Sequence, residues 1–169
     1  MNPQHIIREL SKNTAIFKGL FKDIEKPAYL WKSSPNKWCL LEIICHLYDE
    51  EREDFRTRTK QVLENPQLSL PPIDPVKWVK ERNYIEQNYR EMLDKFIKER
   101  QQSIDWLQSL KDPKWKNTYQ HPKLGALSAN MFLANWLAHD YLHIRQLINL
   151  KYNYLRQFSG ESLVYAGNW

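Results

Sequence analysis

Apolar residues recur at helical spacing through four long stretches of this chain, with prolines and polar loops between them. In the first stretch, Ile6, Ile7, Leu10, Phe17, Leu20, Phe21 and Ile24 fall on one face of a helix. Asn2 followed by Pro3 reads as an N-cap and first helical residue, and the helix ends before Pro27. A loop, Lys32-Ser33-Ser34-Pro35, leads to Asn36, the expected cap of a second helix over about 37–64. Its first half is strongly apolar and its second half charged, so the first is expected to be central and the second to project into solvent. Pro66, Pro71 and Pro72 make 65–74 a loop. Asp74 and Pro75 then open a third helix reaching about 110, with Val79, Met92, Leu93, Phe96, Ile97, Ile104, Leu107 and Leu110 as its buried stripe. After a second loop over 111–125, Ser128 caps a fourth helix, with Leu127 as its staple. That helix runs to about 150 and buries Met131, Phe132, Leu133, Leu137, Ile144, Leu147 and Ile148. A short aromatic tail closes the chain. Four long amphipathic helices in 169 residues with only four glycines predict an all-α fold, one four-helix-bundle domain over 1–169.

Charge and composition narrow the partners. The net charge is +5, yet the 25 basic residues are interspersed with 20 acidic ones. A solvated mixed-charge surface is expected, with no nucleic-acid partner. No apolar run approaches the roughly 18–20 residues of a membrane span, so no membrane partner is expected either. The start, Met1-Asn2-Pro3-Gln4-His5, lacks the pattern of a secretory signal. Cys39 and Cys45 lie about 9 Å apart along one predicted helix, too far for a disulfide. These features together suggest the cytoplasm.

Chemistry concentrates in three histidines. His139 and His143 are four residues apart in Trp136-Leu137-Ala138-His139-Asp140-Tyr141-Leu142-His143, so their rings lie one above the other on a helix face. That spacing lets two imidazoles take adjacent positions on one metal ion. His46, ending the apolar run that starts at Trp38, supplies a candidate third ligand from another helix. The alternative is a set of core histidines, each bonded to a carbonyl or hydroxyl. Glu42, Asp49 and Glu50 flank His46 by one turn and are candidates for a catalytic base or for orienting a ligand ring, although most of that acidic run suits a solvated face. Asp140 points away from His139 and suits a salt bridge or cap. His5 is expected to be exposed. His121 precedes Pro122 and could sit either at the mouth of a site or in a turn. Trp38, Tyr48, Tyr141 and Trp169 could shape a pocket or pack the core.

These residues carry a family resemblance. Trp38…His46-Leu47-Tyr48-Asp49-Glu50-Glu51, then His121-Pro122…Gly125, then Trp136…His139-Asp140…His143…Gln146 resemble the DinB-like (YfiT-like) metal-binding four-helix-bundle superfamily over nearly the whole chain. The resemblance implies an up-down-down-up bundle and a divalent metal, nickel or zinc, held by His46, His139 and His143. It also implies a small-molecule substrate and a homodimer. Reaction type follows less directly, because the superfamily resembles both hydrolases and S-transferases that use low-molecular-weight thiol cosubstrates. The sequence therefore reads as a divalent-metal-dependent enzyme, a hydrolase acting through activated water or a thiol S-transferase. A non-catalytic metal-binding or dimerising helical module is the alternative.

Overall fold

Each of the four main helices packs against two neighbours, and the first main helix does not pack against the second, nor the third against the fourth. The computed structural model describes residues 2–167. Helix α1 spans Pro3–Phe21, capped by Asn2 accepting from the Gln4 amide. A four-residue helix α2, Lys26–Tyr29, lies in the loop that follows. The second main helix is continuous from Leu40 to Glu64 but changes pitch twice: α3 is Leu40–Asp49, a π-helical turn covers Glu50–Phe55, and α4 is Arg56–Glu64. Helix α5 (Pro75–Glu81) and a 3₁₀ turn (Tyr84–Glu86) precede α6, Tyr89–Ser109. Strands β1 (Thr118–His121) and β2 (Gly125–Ser128) pair antiparallel, and α7 runs over Ala129–Phe158.

Side-chain contacts fix the directions. The Tyr89 hydroxyl donates to the Phe21 carbonyl, so the start of α6 meets the end of α1. Asn13 bonds Asp140 and Lys151 bonds the Leu20 carbonyl, so α1 and α7 run parallel. The second main helix runs parallel to α6, its Arg56 reaching the Glu99 carbonyl and Ser103. Against α7 it is antiparallel, with His46 near His139 and Phe55 on Trp136. The result is up-down-down-up, as expected. Returning to the same end between two parallel helices requires a long connection, and residues 65–88 supply it.

Several local expectations need correcting. Helix α3 starts at Leu40, not at 37. Its cap is Cys39, whose amide donates to Glu42 Oε2 at 2.9 Å, so the cap is not Asn36. The second half of that main helix does not project into solvent, since Phe55, Thr59, Val62 and Leu63 are buried with Glu50 and Glu51. Helices α5 and α6 are separate because Asn83 takes a left-handed conformation (φ 47°) and Asn88 caps anew, accepting from the Glu91 amide. The region 111–125 contains β1 and the hairpin turn, so the fold carries a small sheet besides its helices. Helix α7 extends eight residues past 150, and Ile148 is exposed on it.

One apolar core fills the end of the bundle where Phe17, Phe21, Ile43, Ile44, Leu47, Phe96 and Leu147 meet. A second, around Leu10, Ile104, Leu133 and Trp136, fills the middle. Each such side chain contributes about 1.5–3 kcal/mol by leaving water. Polar clusters lie among these apolar groups, and they position the site.

Candidate metal centre

His46 sits near the end of α3 because the apolar face of that helix (Leu40, Ile43, Ile44, Leu47) must bury itself against α6 and α7. His139 and His143 rise from the middle of α7, facing back. The three Nε2 atoms converge: His139 Nε2 lies 3.3 Å from His46 Nε2 and 3.1 Å from His143 Nε2. Donor atoms of all three residues fall within 4.8 Å of one another. Nitrogen donors about 2.0–2.1 Å from a zinc ion, at tetrahedral to octahedral angles, stand about 2.9–3.4 Å apart. The observed spacing fits that donor set.

Hydrogen bonding alone leaves the cluster incomplete. His139 Nε2 faces two other Nε2 atoms with only one N–H or one lone pair to offer them both. The Nδ1 atoms of His46 and His143 are buried with no hydrogen-bond partner. Three lone pairs turned toward one point suit a cation, which accepts all three at once. Burial holds the rings neutral, the form that ligates: it pushes His46 down to about 3, with His143 adding to the effect. Burial likewise lowers His139 to about 2 and His143 to about 4. Gln146 opposes the shift at His143, although His143 Nδ1 has no partner at hydrogen-bonding geometry. Trp38 covers His46 with ring centres 4.9 Å apart, and Phe55 covers His139 at the same separation. These walls lower the local dielectric.

The three flanking carboxylates go three different ways. Glu42 closes its own helix cap and pairs with Lys32 at 2.7 Å. Asp49 accepts from the Tyr84 hydroxyl at 2.7 Å and pairs with Arg52 and Arg82. Glu50 is buried beside Asp54, and its Oε1 has no partner. Burial, reinforced by the Asp54 charge, pushes the Glu50 carboxyl up to about 8. So Asp49, Glu50 and Glu51 are all buried, and the run is not a solvated face. A regular α-helix has one inward side. Here the wider π turn, and the 65–88 connection folded over the outside, cover more than one.

Other expectations resolve plainly. His121 closes the hairpin turn, its Nδ1 accepting from the Lys123 and Leu124 amides. His5 is half-buried rather than exposed. Cys39 and Cys45 are free and buried, with desolvation raising both thiols, to about 11 and about 12. Tyr48 is half-buried under Arg52, and Tyr141 is exposed. Trp169 lies outside the described residues. No helix among the described residues is long and apolar enough to cross a membrane.

Sequence reasoning missed the cluster next door. Asp140 forms a salt bridge, as its position suggested, and its partner is the fully buried Arg100, gripped at 2.6 and 2.7 Å. Arg100 also meets Glu51 Oε2 at 2.8 Å, and the Trp136 indole donates to that same oxygen at 3.0 Å. Asn13 completes the group with a 3.0 Å bond to Asp140. A signal was available: Arg100 falls in the buried stripe of α6, four residues from both Phe96 and Ile104.

Comparison with known proteins agrees with this architecture. No protein of curated function matches the chain in sequence. Among solved structures, YfiT from Bacillus subtilis superposes with a TM-score of 0.78 at 17% sequence identity, covering 94% of this chain and 89% of that one. YfiT is described as "a probable metal-dependent hydrolase with an unusual four-helix bundle topology". The sequence profile of the DinB superfamily matches residues 9–147, which include all three histidines and at least part of each of the four main helices. With fold, topology and sequence profile in agreement, the chain belongs to the DinB superfamily.

Proposed function

We propose that this protein is a divalent-metal-dependent hydrolase acting on a small molecule, with zinc or nickel held by His46, His139 and His143. The observation that carries the reading is the convergence of three neutral Nε2 atoms at 3.1 and 3.3 Å, with the Nδ1 atoms of His46 and His143 left unpartnered in either tautomer. Three protein nitrogens leave coordination positions free, as catalytic rather than structural zinc sites do. Such an ion, when bound, polarises a carbonyl or lowers the pKa of water to near 7. YfiT's description as "a probable metal-dependent hydrolase" supports hydrolysis over thiol transfer.

Among the flanking acids, Glu50 is our choice for proton transfer. Glu42 and Asp49 are committed to Lys32 and to Tyr84 with Arg82, respectively. Glu50 follows His46 by one turn, keeps one carboxylate oxygen unpartnered, and has a pKa near 8. A carboxyl that exchanges its proton near neutral pH can serve as acid and as base. Trp38 and Phe55 exclude water from the ring faces of His46 and His139.

The test is a panel of ester and amide substrates, run beside thiol-transfer assays on metal-loaded and chelator-treated protein. Metal-dependent hydrolysis that His139→Ala abolishes and Glu50→Gln reduces is the expected result. Turnover only in the presence of a low-molecular-weight thiol would replace this reading with S-transfer.

A further inference from the structure

A second concave site lies at the other end of the α3–α7 contact, where α1 ends. Its floor is two core side chains, Leu40 and Leu150, and its walls are Ile24, Trp31 and Tyr154, enclosing about 310 Å³. The volume falls at the lower edge of the range for small-molecule sites, which are mostly apolar with a few placed polar groups. The local sequence builds it. Helix α1 stops at Phe21, Asp23 turns left-handed (φ 56°), and the reversed chain sends Ile24 inward while leaving Asp23 and Glu25 on the lip. Leu150 lies seven residues beyond His143 on α7, about 10 Å along the axis. A group bound there is therefore not at the histidine centre, and the cleft is a separate site.

The charges around the opening are unequal in availability. Lys151, the cation at the rim, is half-buried and already donates to the Leu20 carbonyl at 3.2 Å. Glu25 is exposed and has no ion-pair partner among the described residues, and Asp23 meets only exposed Lys22, at 3.5 Å. Trp31 and Tyr154 add aromatic rings, 5.6 Å apart edge to face, and π faces attract cations. An apolar floor, aromatic walls and an acidic lip are complementary to one kind of molecule. We infer that this cleft binds a small amphipathic amine, with its hydrocarbon body against Leu40 and Leu150 and its ammonium group at Glu25 and Asp23.

Calorimetric titration of chelator-treated protein tests this independently of the metal centre. The probes share one body: 4-phenylbutylamine, 4-phenylbutanol and 4-phenylbutanoate. Saturable 1:1 binding of the amine is expected, about ten-fold tighter than the alcohol, with the carboxylate weakest. Ala28→Trp, which fills the cleft, should abolish binding of all three. Glu25→Lys alters an exposed residue whose side chain makes no cap bond, and should remove or invert the amine preference in a folded protein. Absence of saturable amine binding overturns the inference. So does equal binding of the three probes, or amine binding unchanged in both variants.

Discussion

His139 and Asp140 are neighbours on α7, yet they belong to two buried polar clusters of opposite character. Asp140 enters a set closed in charge: Arg100 is held by two carboxylates, Glu51 also receives the Trp136 indole, and Asn13 bonds Asp140, while Arg100 Nε and Glu51 Oε1 keep no partner. Attraction to Asp140 and Glu51 outweighs desolvation there and raises the Arg100 pKa, so the cluster is charged and its opposite charges meet. His139 enters an open set: three neutral bases with inward lone pairs and two unpartnered Nδ1 atoms. A buried polar cluster that closes on itself holds helices in register. One that cannot close marks the place where a ligand completes it. Glu51, five residues after His46 on the same main helix, ties the two clusters together.

The largest effect expected from breaking this contrast is on the closed side. Arg100→Met leaves Asp140 and Glu51 buried without their cation, and should cost about 3–5 kcal/mol in denaturant unfolding. An unchanged midpoint would show that the cluster does not hold the bundle. On the open side, His139→Ala should leave a folded protein that no longer holds stoichiometric metal. Elemental analysis should find about one divalent ion per chain in the native protein. Full occupancy in the variant would refute the three-histidine centre.

A smaller effect follows from protons. The histidine pKa values are depressed from 6.5 to about 4, 3 and 2, so below pH 6.5 the unfolded chain binds protons that the folded one refuses. Chelated protein should keep its full stability above pH 6.5 and lose it as pH falls through those values. His143→Leu should flatten that loss between pH 6.5 and 4. Glu50 has the opposite sign. Its carboxyl is raised from 4.5 to about 8, so its favourable contribution is complete below pH 4.5 and disappears as pH rises through 8. Glu50→Gln should therefore change stability little at pH 5 and raise it slightly at pH 8.5, which thermal unfolding at the two pH values would read.

Legibility in the sequence followed the physics of each feature. The caps Asn2, Asp74 and Ser128 and the helices they open were readable because N-capping and apolar spacing are local. The i,i+4 histidine pair was readable for the same reason. The break at Asn83 was not, because one residue's left-handed turn interrupts an otherwise helical pattern. The hairpin is short and half-exposed, with no apolar alternation strong enough to announce it.

What the sequence determined by itself was four amphipathic helices and three histidines able to share an ion, since both depend on spacings within a few residues. Tertiary structure alone decided which carboxylates were engaged. Asp49, Glu50 and Glu51 are chemically alike and consecutive. Yet one pairs with Tyr84 and Arg82, one is buried beside Asp54 with its carboxyl pushed up to about 8, and one pairs with Arg100. Asp54 lies on the same π turn as Glu50, but Tyr84, Arg82 and Arg100 lie on other turns and helices, and only the packing of the bundle brings those within reach.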